Sequence, residues 1–175
     1  MLLDLSRMRE ALEHVERTCP GSAFDTGGDF TVEGDVALAF DVRRDKDRFR
    51  LVGAVRARLQ LACSRCLEPY PVPVECAFDL RYLPHAANTG DEEQEVAEDD
   101  LSTAFYRDEV IDLADLMREQ MYLALPMKPL CRADCRGLCP QCGTNLNRDT
   151  CGCEGRWVEP RLEGLRALLR DEGKD

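Results

Sequence analysis

Phe49-Arg-Leu51-Val-Gly53-Ala-Val55-Arg-Ala57-Arg-Leu59-Gln-Leu61 decides how this chain folds. Its apolar residues recur at every second position, the period at which side chains of an extended strand return to the same face. Phe49, Leu51, Gly53, Val55, Ala57, Leu59 and Leu61 therefore share one face, and Arg50, Arg56 and Arg58 share the other. The same period continues on both sides. Upstream, Val36, Leu38, Phe40 and Val42 alternate, and the charged turn Arg43–Arg48 joins them to the central strand. Downstream, Val72, Val74, Cys76, Phe78, Leu80 and Tyr82 form a third inward row, with Pro71 and Pro73 confining its start to an edge or an irregular end. Short links between alternating runs predict an antiparallel sheet.

Around that sheet the period changes. Leu5, Met8, Leu12 and Val15 fall at helical spacing and predict a helix over 4–18, broken by Cys19-Pro-Gly. Residues 84–100 lose periodicity, and 91–100 hold seven acids and no base, which predicts a solvated loop. Asp112 is a good N-cap for a helix carrying Leu113, Leu116, Met117, Met121 and Ala124, which Pro126 ends. A short final helix bearing Leu162, Leu165, Leu168 and Leu169 follows Trp157 and Pro160. The expected class is α+β: an antiparallel sheet or partly open small barrel with flanking helices and a C-terminal cysteine-rich zinc module. The expected division is an α+β domain over 1–130, and a zinc-knuckle segment with its helix over 131–175 packed on the first part.

The second organising stretch is Cys131-Arg-Ala-Asp-Cys135-Arg-Gly-Leu-Cys139-Pro-Gln-Cys142-Gly-Thr-Asn-Leu-Asn-Arg-Asp-Thr-Cys151-Gly-Cys153, which holds six of the ten cysteines. The C-x2-C and C-x-C pairs, Cys139/Cys142 and Cys151/Cys153, suit four-sulfur zinc coordination, because each short loop turns two thiolates toward one point. Reduced structural thiols or a disulfide staple are the alternatives. Cys63-Ser-Arg-Cys66, which closes the central strand, is another two-ligand knuckle. It could complete a site with Cys131 and Cys135, or act as a thiol redox pair. One or two structural zinc ions are expected. Cys19 and Cys76 stay outside any site.

The net charge of −11 argues against a generic nucleic-acid binder, yet residues 42–58 carry seven Arg and Lys against two Asp. Arg50, Arg56 and Arg58, with Arg48 of the basic turn, make a candidate phosphate-contacting surface, and the alternative is a solvated face whose arginines pair with nearby acids. No apolar run approaches the ~20 residues of a membrane span, and the N-terminus lacks an apolar signal core. The expectation is a cytoplasmic protein with reduced cysteines. No catalytic set emerges: an all-cysteine shell leaves no open position for a water, and neither a phosphate-cradling loop nor a nucleophile motif is present. No small-molecule substrate is expected.

Several segments together resemble one family. Cys63-Ser-Arg-Cys66-Leu-Glu-Pro closing a strand, Ile111-Asp-Leu-Ala-Asp-Leu opening a helix, Leu123-Ala-Leu-Pro-Met ending it, and Cys135-Arg-Gly-Leu-Cys139-Pro-Gln-Cys142-Gly-Thr-Asn-Leu-Asn are similar to the YceD family, in the right order over nearly the whole chain. The resemblance implies a non-enzymatic role in accumulation or processing of large-subunit ribosomal RNA. The partner would be the RNA precursor or a ribosomal protein. A CxxC thiol oxidoreductase or a zinc-dependent protein-interaction module is the alternative.

Overall fold

In a computed structural model the alternating run is the strand β4 (Arg48–Ala62), at the centre of a five-stranded sheet. The structure describes residues 1–85, 102–153 and 161. Two compact units divide them. The first comprises 1–62 and 69–129; the second comprises 63–68 and the chain from 130 onward.

The first unit is built outward from β4. β3 (Thr31–Asp45) pairs with it antiparallel through a tight hairpin at Lys46-Asp47, where Lys46 takes a positive φ of 58°. β5 (Pro69–Pro84) pairs antiparallel on the other side, β2 (Leu12–Pro20) adds antiparallel to β3, and β6 (Thr103–Tyr106) adds parallel to β5. The order β2-β3-β4-β5-β6 leaves β2 and β6 as edges, so the sheet is open rather than a closed barrel. A two-stranded sheet joins β1 (Leu2–Asp4) to β7 (Val110–Asp112).

The inward row buries as the alternation requires. Val36, Leu38, Phe40 and Val42, then Leu51, Val55 and Leu59, are all but inaccessible to solvent. Gly53 is the exception that makes the row work. It lies opposite Phe40 on β3 and Phe78 on β5, whose ring centroids are 6.4 Å apart, and a Cβ there would come within 2.2 Å of the Ala39 carbonyl oxygen. The helix α1 (Leu113–Leu123) supplies Leu113, Leu116, Met117 and Met121 to this core, joined by Leu5, Met8 and Ile111. Its start is fixed as the sequence suggests, with Asp112 accepting a 2.8 Å hydrogen bond from the Ala114 amide. Asp115, placed for a capping box, pairs instead with Arg118 at 2.9 Å.

The expected helix over 4–18 does not form. Leu5 opens a 3-10 turn (Leu5–Arg7), and Leu12 onward is the strand β2. A spacing of three residues that would share a helix face puts Leu12 and Val15 on opposite faces of a strand, so Leu12 is exposed and Val15 buried. Nine residues of β3, through Phe40 and Val42, supply the pairing groups, and tertiary pairing overrides a weak helical pattern. One α-helix stands among the described residues. The acidic run 91–100 and the helix expected over Leu162–Leu169 lie outside them. No described helix is long and apolar enough to cross a membrane.

Candidate metal centre

The second unit is organised by two turns of the same backbone design. In the first, the Leu67 amide donates to the Cys63 carbonyl (2.9 Å), and the Cys63 amide donates to the Glu68 carbonyl (2.9 Å). In the second, Gly143 donates to the Cys139 carbonyl (2.9 Å), and Cys139 donates to the Thr144 carbonyl (2.8 Å). Both need a positive φ at the residue after the second cysteine, 60° at Leu67 and 74° at Gly143. Such a turn points two thiols to one side.

Each turn meets a second pair. Cys63 and Cys66 converge with Cys131 and Cys135, while Cys139 and Cys142 converge with Cys151 and Cys153; within each group every Sγ lies within 4.8 Å of the others. Cys63–Cys135 and Cys66–Cys131 are both 3.8 Å apart. A metal–thiolate tetrahedron with bonds of ~2.3 Å has sulfur–sulfur edges of about 3.8 Å, whereas a disulfide would need ~2.05 Å. The donor sets fit four-coordinate metal, and each tetrad could hold an ion.

The first tetrad is the more enclosed, with Cys63 at 0 %, Cys66 at 3 % and Cys135 at 3 % exposure. Arg65 ties its halves together: its carbonyl accepts from the Leu138 amide (3.1 Å), and its guanidinium donates to the Cys135 carbonyl (2.9 Å). Gly137, at φ 74°, sits where a Cβ would meet the Arg65 carbonyl oxygen at 3.0 Å. Asn147 supplies a layer behind the sulfurs. Its Nδ2 donates to Cys135 Sγ (3.3 Å), while its Oδ1 accepts from the Arg136 amide and the Arg132 guanidinium (2.8 Å each). Sequence reading gives Asn147 and Arg65 no role; asparagine in a polar segment carries no signal of such a bond. In the second tetrad Cys142 and Cys153 are exposed, and the Thr144 hydroxyl lies 3.1 Å from Cys142 Sγ.

Electrostatics splits each tetrad. Amide N–H groups, of Cys131 first and then of Cys66 and Arg65, pull the Cys63 thiol down to about 6. The Thr144 hydroxyl, then its amide, does the same for Cys142, also to about 6. Cys131 is pushed up to about 12, chiefly by burial and then by its neighbouring thiols. Cys153 is pushed up to about 12, chiefly by its hydrogen bond with Cys142. Four thiolates crowd one point, so full ionisation needs a cation among them. A metal held by all four protein sulfurs of a tetrad would have a closed shell, with no open position for a water.

The candidate arginines lie in the first unit, on the outward face of the sheet. Arg50 is held by Asp79 through two hydrogen bonds (2.7 and 2.5 Å), and Arg56 by Glu75 through two more (2.9 and 2.6 Å). Arg58 shares that face, and Arg48 lies exposed next to the hairpin. Sequence reading leaves out Arg43 and Arg81, which stand directly opposite Arg50 on its two neighbouring strands.

An open, mostly antiparallel sheet together with an all-cysteine unit of two potential metal tetrads defines the class of protein. The chain belongs to the family described as large ribosomal RNA subunit accumulation protein YceD, whose model matches residues 51–169. It is 31% identical over 158 residues to a maize protein named large ribosomal RNA subunit accumulation protein YCED homolog 1, chloroplastic, covering 77% of this chain and 54% of that protein. It is 37% identical over 123 residues to an uncharacterized protein of Mycobacterium tuberculosis, covering 70% and 56% respectively. An uncharacterized protein of Bacillus subtilis, YlbN, is 27% identical over 120 residues, covering 67% and 64%. The chain thus spans little more than half the length of the first two. No solved structure matches it.

Proposed function

We propose that this protein is a non-enzymatic ribosome-assembly factor that supports accumulation or processing of large-subunit ribosomal RNA by binding the RNA precursor or a ribosomal protein. The observation that carries the reading is family membership over 51–169, a span that takes in the sheet's centre and both tetrads. The tetrads are two structural zinc sites: four soft thiolates each, with no histidine or carboxylate among them, suit zinc and leave nothing for it to catalyse. Zinc bound there releases the thiol protons and stabilises the second unit. The site of action is the cytoplasm, where such thiols stay reduced. Burial of Cys63 and Cys66, among two further cysteines, weighs against the CxxC oxidoreductase alternative, which needs an accessible thiolate.

The reading is tested by sedimentation and by metal content. The full chain should co-sediment with large-subunit precursor particles, and its depletion should lower large-subunit relative to small-subunit ribosomal RNA. Unchanged RNA ratios together with free sedimentation would defeat the reading. The purified protein should hold two zincs, and Cys63→Ser with Cys66→Ser should leave one. Rapid alkylation of Cys63 in the metal-loaded protein would favour the oxidoreductase instead.

A further inference from the structure

The two tetrads share their chemistry but not their access to solvent. In the first, Cys63, Cys66 and Cys135 are buried and Cys131 is half-buried. In the second only Cys139 is buried; Cys151 is half-buried, and Cys142 and Cys153 are exposed. The glycines beside the sulfurs report the same contrast. A Cβ at Gly137, two residues past Cys135, would meet the Arg65 carbonyl oxygen at 3.0 Å. Among the described residues, a Cβ at Gly143 or Gly152 would meet nothing within 4 Å.

Access decides which metal-bound sulfurs react. The thiolate is the nucleophilic form of cysteine, and oxidants select thiolates that solvent reaches and that have a second sulfur close by. Cys142 and Cys153 meet both conditions, being exposed and having Sγ atoms within 4.8 Å of each other. The Thr144 hydroxyl lies 3.1 Å from Cys142 Sγ, and the residue stays exposed all the same. Around the first tetrad the cover is larger: Arg65 donates to the Cys135 carbonyl at 2.9 Å, and Asn147 donates to Cys135 Sγ at 3.3 Å.

We propose that Cys142 and Cys153 are a site of oxidative modification, where a hydroperoxide forms a disulfide and expels one metal ion while the first tetrad keeps the other. This rests on zinc in both tetrads, as proposed above. The Cys142 thiolate attacks one oxygen of hydrogen peroxide; the O–O bond breaks, leaving a sulfenic acid and a hydroxide. The Cys153 thiolate then attacks that sulfur, the S–O bond breaks, and a second hydroxide leaves. Two thiolates thus give two electrons to one peroxide. The sulfurs close to the ~2.05 Å of a disulfide, and the ion keeps Cys139 and Cys151, half of its four ligands. The open space beside Gly143 and Gly152 leaves both short loops room for that movement. Exchange with a dithiol reductant reverses the change.

The test uses the full chain, reduced and zinc-loaded, treated with hydrogen peroxide. A chromophoric chelator reads the released zinc, and mass spectrometry after alkylation locates the disulfide. Release should be biphasic, with the first of the two ions leaving at least about tenfold faster than the second. That loss should track a Cys142–Cys153 link, with Cys63, Cys66, Cys131 and Cys135 still reduced, and dithiothreitol with zinc should restore the starting content. In Cys63→Ser with Cys66→Ser, the single remaining ion should leave at the fast rate. Both ions leaving together, or any link other than Cys142–Cys153 accompanying the first loss, overturns the inference. So does retention of both ions at peroxide levels that oxidise free glutathione. In each of those cases the zinc reading stands, because two ions were bound at the start. A purified chain that holds no zinc overturns that reading and the inference with it.

Discussion

Leu67 occupies a backbone conformation that Gly143 fills in the sister turn. A left-handed φ costs a branched or bulky L-residue about 1–2 kcal/mol, part of which glycine gives back through greater freedom of the unfolded chain. Leu67→Gly should therefore raise the metal-loaded protein's resistance to chelator by up to about 1 kcal/mol, or roughly fivefold in apparent affinity. Leu67→Val should lower it. Zinc competition with a chromophoric chelator measures both. The Leu67 side chain is exposed, so little packing is lost by the change. His14 gives a second prediction at this scale. Its pKa is raised above the ordinary 6.5 by hydrogen bonds, from Asp41 first and then Glu16. A raised folded value means that protonation favours the fold; the contribution is complete below 6.5 and disappears as pH rises through the raised value. His14→Gln should lower the melting temperature at pH 5.5 and leave it unchanged at alkaline pH, and NMR titration of the ring should show the upward shift directly. The residues behind the tetrads were the least legible in sequence. Cysteine spacing announces ligands, but Asn147 and Arg65 act through a carbonyl, an amide and a guanidinium whose placement only the folded turns create.

At the scale of elements, strictness of period separates what could be read from what could not. β4 alternates without interruption from Phe49 to Leu61 because one face is core throughout, and its sequence alone shows which side chains face inward. β2 buries a single residue fully, Val15, and an edge strand that contributes so little to the core leaves no period-two signature. Its few apolar positions happen to match a helix instead. The charged residues Glu13, Glu16 and Arg17 along it also suit an exposed edge, where charge discourages pairing with other chains. The Arg43–Arg50–Arg81 row was hidden for a related reason: alternation reveals which residues share a strand's face, but the pairing register decides which stand side by side. Gly53 is legible as an inward position yet not as a necessary one. Since its missing Cβ accommodates the Ala39 carbonyl and the Phe40 backbone, Gly53→Ala should destabilise the sheet by about 3 kcal/mol, at the upper end of overpacking costs. Urea unfolding followed by far-UV circular dichroism checks the value; a loss under about 1 kcal/mol would mean the strands can part there cheaply.

The chain divides into a hydrophobic unit and one of a different kind. The first unit buries aliphatic residues from three long strands and a helix, a core able to stabilise it without any ion. In the second, the described side chains that are fully buried are those of Cys63, Cys66, Cys135 and Cys139, while Leu130, Leu138 and Leu146 are only partly covered. Among the described residues the interior of this unit is sulfur rather than apolar side chains, and zinc at the proposed sites would supply the free energy of ordering them. Sequence spacing could propose this unit but could not close it. Cys139 to Cys153 are local enough to pair on sight, whereas joining Cys66 to Cys131 spans 65 residues and depends on a hairpin turn being delivered to the right place. Stripping the protein with a strong chelator at neutral pH should therefore separate the two units. Far-UV circular dichroism should keep its β-sheet signal, and amide exchange should stay slow for Leu38, Val55 and Leu59. The amides of Leu138, Gly143 and Leu146, hydrogen-bonded to the Arg65, Cys139 and Gly137 carbonyls, should exchange freely, and zinc should restore them. Protection of those three amides in metal-free, reduced protein would show that the second unit folds without an ion, and the structural role given to its cysteines would fall with it.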